Sequence, residues 1–134
     1  MSLEKALQSA QGTVPECVAA GFVDMSTGML LGIRTVDSHP QEVLDLVAAA
    51  TADLFQGSNV TAIEKLFRKS RGVADDGSHY FQELLVMSDN LIHVFLRARN
   101  NKNNAAIFVC RGSVNLGMAL SKARNVLPEL EAAS

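Results

Sequence analysis

The chain has 134 residues, the length of one ordinary domain, of which 48% are hydrophobic and 19% charged. That composition excludes wholesale disorder and supplies enough apolar material for one core spanning residues 1–134. A net charge of -2 gives no global field toward nucleic acid or anionic lipid, and the apolar runs are broken well short of the roughly 20 residues that cross a membrane, so neither nucleic-acid binding nor membrane insertion is expected.

The opening segment MSLEKALQSAQ has an early Glu4 and no signal-peptide core, which points to a cytoplasmic protein. Leu3, Ala6, Leu7 and Ala10 stand at helical spacing, and Gly12 is the expected stop. Cys17 to Met25 is small, apolar and β-branched enough for a strand buried on both faces. Ser26-Thr27-Gly28 is turn chemistry, and Met29 to Thr35 reads as the return strand of a hairpin.

A long helix is expected from Pro40 to Gln56, capped by Asp37 or Ser38. At about 100° per residue, Gln41, Glu42, Asp45, Asp53 and Gln56 share one polar stripe, which leaves an apolar arc roughly 200° wide. One line on that arc holds Val43, Val47, Ala50 and Leu54; a second holds Leu44, Ala48, Thr51 and Phe55. Two lines imply two neighbours, the protein's own sheet and something else. Gly57-Ser58-Asn59 breaks or bends this helix. Where it resumes, Val60, Ile63 and Phe67 are expected to face inward and Lys65, Arg68 and Lys69 outward.

Arg71 to Ser78 reads as a polar loop and Tyr80 to Met87 as a strand. Ser88-Asp89-Asn90 turns the chain into a second strand, Leu91 to Ala98. After the exposed RNNKNN loop, Ala105 to Cys110 supplies a third. Asn115 caps a last helix with Leu116, Leu120, Ala123, Leu127 and Leu130 on its apolar face, and Pro128 is expected to kink or weaken its final turn. A hairpin, a long helix, a three-strand meander and terminal helices imply an α+β fold: one antiparallel sheet with helices on both faces.

The residue patterns argue against catalysis. Asp24-Met25-Ser26-Thr27-Gly28 resembles the turns of aspartic proteases. Ser26, however, occupies the position of the catalytic aspartate, and no second such turn exists. Asp24 is therefore expected to hydrogen-bond the turn backbone. His39, His79 and His93 lack metal-ligand spacing, as do Cys17 and Cys110, so no cofactor, metal or catalytic residue is assigned. His93 with Asp89 or Glu83 is the remaining acid–base pairing, against which a half-buried strand histidine is the simpler reading. The CRGSVNLG segment lacks the lysine of a phosphate-binding loop. Basic residues collect at Lys65, Arg68, Lys69 and Arg71, and again at Arg97, Arg99 and Lys102. Lys65, Arg68 and Lys69 form the candidate patch for an acidic protein partner.

VPECVAAGFVDMSTGMLLG (Val14 to Gly32), ELLVMSDNLIHVFLRA (Glu83 to Ala98) and AAIFVCRGSVNLGMALSKARNVLPEL (Ala105 to Leu130) together resemble the Roadblock family of dynein light chain-like proteins over nearly the whole chain. The resemblance implies a profilin-like, five-stranded sheet in the order 2-1-5-4-3. It implies a homodimer in which the edge strand, with Tyr80, Gln82 and Leu84, pairs with its copy and the long helices meet through Leu44, Ala48, Thr51 and Phe55. It sets Cys17 beside Cys110, with thiols expected in the cytosol. It also implies a non-catalytic regulator or scaffold for a small Ras-like GTPase. The competing reading is a small-molecule sensor of the PAS or profilin-like kind, or a structural adaptor in a signalling or motility complex. A sensor needs a pocket with convergent polar groups, whereas Val43, Val47, Leu54, Phe95, Phe108 and Leu120 are expected to fill that space.

Overall fold

The first hairpin shows how local chemistry sets the frame. In the computed structural model, which describes residues 2–134, β1 (Cys17–Asp24) and β2 (Met29–Thr35) meet antiparallel. Asp24 Oδ1 accepts hydrogen bonds from the Ser26 amide at 2.9 Å and the Ser26 hydroxyl at 2.6 Å. The hydroxyl is the main cause that holds this carboxyl below its ordinary range. Gly28 takes φ 72°, where glycine is favoured. Asp24 builds a turn.

β3 (Glu83–Met87), β4 (Leu91–Arg97) and β5 (Asn104–Arg111) complete one five-stranded sheet in the order β2-β1-β5-β4-β3, antiparallel throughout. Cys17 and Cys110 are register partners across β1 and β5, and both thiols are free and buried. Cys17 Sγ donates to the Ala19 carbonyl at 3.1 Å, and the neighbouring Cys110 thiol, and then burial, pushes the Cys17 thiol far up.

The helices α1 (Leu3–Thr13) and α4 (Leu116–Ala133) cover one face of the sheet. Leu7, Phe22, Phe108 and Leu130 are fully buried there. Gly32 admits α1 to this face: a Cβ would lie 2.9 Å from Leu7 Cδ1. Ser2 caps α1 and Asn115 caps α4, each side chain accepting an amide of the first turn. Two boundary expectations change: α1 continues through Gly12, and α2 (Gln41–Gln56) starts after Pro40 with no side-chain cap. α4 contains Pro128 and runs on to Ala133.

α2 covers the opposite face over a smaller core of Val23, Met25, Ala48, Phe55, Phe95, Ala105 and Ile107. Gly57 separates it from α3 (Ser58–Ser70). A Cβ on Gly57 would stand 2.7 Å from the Asp53 carbonyl oxygen, so only glycine lets the chain turn so tightly into the next helix.

Candidate functional site

The two apolar lines of α2 exist, but the line that packs on the sheet is the one expected at a seam. Ala48, Thr51 and Phe55 are buried against the protein's own sheet and Leu44 is half-buried, so this line is not free for a second copy. Val43, Val47, Ala50 and Leu54, expected in the core, are exposed. The small Ala48 permits close approach to the strands. Thr51 satisfies its hydroxyl by donating to the Val47 carbonyl at 2.8 Å, and Phe55 packs edge-on against Phe95 with ring centres 6.5 Å apart.

α3 is inverted relative to expectation. Its inward residues are Glu64 and Arg68, 2% and 5% exposed, whereas Ile63, Leu66 and Phe67 face out. The reason is a set of long-range polar partners in residues 75–80. Arg68 donates to Asp75 Oδ1 at 2.8 Å, to Ser78 Oγ at 3.0 Å and to the Ser78 carbonyl, and lies 4.9 Å over the Tyr80 ring. Glu64 accepts from the Tyr80 amide at 2.7 Å and pairs with His79 Nδ1 at 2.9 Å. Burial alone would raise the Glu64 carboxyl, but the Tyr80 amide, His79 and Arg68 together hold it below its ordinary range. Arg68 is thus a structural anchor; Lys65 and Lys69 remain exposed.

Arg97 also leaves the basic surface patch in which the sequence placed it. It is 3% exposed, with its guanidinium 5.0 Å from the Phe55 ring centre. It donates to the Phe81 carbonyl at 2.9 Å, Gln56 Oε1 at 2.6 Å, the Lys102 carbonyl at 2.8 Å and the Phe55 carbonyl at 3.2 Å. One side chain therefore ties the C-terminal end of α2 to the approach to β3. Desolvation lowers its pKa from the ordinary arginine value.

These anchors explain why β3 begins at Glu83 and not Tyr80. The Tyr80 amide goes to Glu64 and the Phe81 carbonyl to Arg97, so neither joins the ladder. Tyr80 and Gln82 flank the edge strand, and Leu84 within it packs on the α2-side core. Glu83 pairs with Arg124 of α4 through contacts of 2.9 and 2.6 Å, and the register sets it opposite Leu96, whereas His93 stands opposite Val86. Leu85, Val86 and Met87 are exposed, and the outer edge of β3 has no neighbouring strand among the described residues. Phe67 packs near Tyr80, with ring centres 6.3 Å apart. The outward ridge of α3 and the approach to the open edge thus adjoin, forming the candidate protein-binding surface.

The remaining chemistry is dispersed. His93 stacks on Phe95 and lies 3.3 Å from Ser88 Oγ, and burial lowers its pKa. Asn115, in the glycine-containing segment, spends its side chain capping Met118. Among the described residues, no group of three or more His, Cys, Asp or Glu side chains is placed to hold a metal, and no helix is long and apolar enough to cross a membrane.

The sheet order, with two terminal helices on one face and the long helix on the other, defines the profilin-like fold of Roadblock domains. Solved structures that share it include the following three. A Roadblock/LC7 domain from Streptomyces avermitilis is 12% identical with TM-score 0.67, the match covering 98% of this chain and 97% of that one. Gliding protein MglB from Thermus thermophilus is 18% identical with TM-score 0.67, covering 96% and 85%. Profilin II from Acanthamoeba castellanii is 12% identical with TM-score 0.61, covering 98% of each chain. No protein-family model and no curated protein sequence matches the chain.

Proposed function

We propose that this protein is a cytoplasmic, homodimeric and non-catalytic adaptor that binds a small Ras-like GTPase and modulates its nucleotide cycle. The observation that carries the dimer is the open edge of β3, with Leu85, Val86 and Met87 exposed; the apolar ridge Ile63, Leu66 and Phe67 meets the approach to that edge at Tyr80. Unpaired strand backbone beside exposed apolar side chains is a template for pairing with another strand. Antiparallel pairing of β3 with its copy would use Gln82, Leu84 and the backbone of the edge. The exposed α2 residues Leu46 and Leu54 supply the helical part of the seam. Lys65 and Lys69 flank the ridge as contacts for an acidic partner surface. The GTPase follows from the Roadblock resemblance, and the shared fold with a gliding protein supports an adaptor in a signalling or motility assembly.

Light scattering across a dilution series tests the dimer. The expected mass is twice that of the chain, and Val86→Lys, which places a charge on the edge, gives a folded monomer. A monomeric parent protein, or a Val86→Lys dimer, refutes the edge interface. The GTPase is tested by nucleotide release and hydrolysis with a small Ras-like GTPase from the same organism. Unchanged rates together with no co-elution in either nucleotide state refute that part.

A further inference from the structure

α2 does not lie flat on the sheet. Its C-terminal half is seated, with Ala48, Thr51 and Phe55 buried, whereas toward its N-terminus Leu44 is half-buried and Val43 exposed. The facing side of β5 opens the same way: Ala105 and Ile107 are buried, Val109 is half-buried and Arg111 is exposed. On β1 the residues beneath the gap are the small Ala19 and Gly21. The helix and sheet therefore diverge into a wedge-shaped cleft of about 440 Å³, walled mainly by aliphatic side chains such as Ile33, Val47 and Val109. Val43 and Val47, expected to fill this space, line it instead.

Polar groups also converge on the cleft: Thr35, Asp37, His39, His93 and Arg111. The guanidinium of Arg111 has no hydrogen-bonded or ion-paired partner among the described residues, and the lining of the cleft carries one carboxylate, one guanidinium and two imidazoles. The volume falls within the 300–1,000 Å³ typical of small-molecule sites, and is small for a partner helix about 10–12 Å across with side chains. We propose that the cleft binds a small amphipathic anion, its aliphatic chain lying between α2 and the sheet and its single carboxylate or phosphate at Arg111. This site is separate from the β3 edge and does not rest on the proposed dimer.

The test is calorimetric titration of the full chain with dodecanoate, dodecyl phosphate and dodecanol, each below its aggregation threshold. Saturable binding of an anionic probe at one site per chain is expected. Gly21→Val, which introduces a side chain onto the cleft floor, should abolish it, and Val109→Phe provides a second blocked cleft if Gly21→Val fails to fold. Arg111→Gln should weaken the preferred anion by about tenfold or more, the scale of one lost charged hydrogen bond, and leave dodecanol unaffected. Preference for one of the two anions identifies the headgroup. Absence of saturable anion binding, persistence of binding in a folded blocked variant, or equal affinity for anions and dodecanol overturns the assignment.

Discussion

Replacing Phe55 and Leu54 separately with alanine distinguishes the two faces of α2. Phe55 is fully buried in the smaller core, edge-on to Phe95 at 6.5 Å and 5.0 Å from the Arg97 guanidinium. Phe→Ala in a core costs about 3–5 kcal/mol. The upper half of that range is expected here because α2 cannot settle into the hole: Arg97 holds the Phe55 carbonyl and Gln56 in place. Against a total stability of about 5–15 kcal/mol, this is a large fraction. Leu54 is 42% exposed, and its truncation should cost within about 1 kcal/mol of intrinsic protomer stability. Urea unfolding at several protein concentrations separates the effects. The Phe55→Ala loss should persist on dilution, whereas any Leu54→Ala loss from a seam should shrink as the parent dimer dissociates. Equal intrinsic losses, or a larger loss for Leu54, would refute the assignment of the buried line.

Two further substitutions test the polar anchors. Arg97→Met should cost about 2–4 kcal/mol in urea unfolding because it leaves buried carbonyls without a donor, whereas exposed Arg99→Met should change stability by less than about 0.5 kcal/mol; similar losses for both would remove the anchor role. Glu64→Gln should cost about 1–2 kcal/mol at neutral pH. Because the folded Glu64 pKa lies below an unfolded value of about 4.3, its ionic contribution is complete above that range and disappears as pH falls through the folded value. The gap between parent and variant, measured by thermal unfolding, should narrow in acid; a gap constant with pH contradicts the ionised pair.

Local chemistry already determined much of the fold. Ser26-Thr27-Gly28 could only be a turn, Asn115 was a cap before any helix packed, and strand patterns placed β1, β2, β4 and β5 close to their observed positions. The Roadblock resemblance supplied the strand order and set Cys17 beside Cys110, as the register shows. Periodicity also revealed that α2 carries two apolar lines. It fixes the angles between residues on a helix but not the helix's rotation against a sheet. Only tertiary packing decided that Ala48 and Phe55 face inward. The inversion of α3 was less legible still: Arg68 finds Asp75 and Ser78, and Glu64 finds Tyr80, across a loop. Those interactions turn charged residues inward and leave Ile63, Leu66 and Phe67 outside. They also shorten β3 by taking its first polar groups from the ladder. The sequence thus determined which elements form, while tertiary structure decided which faces they bury, because polar satisfaction and close approach depend on partners distant along the chain.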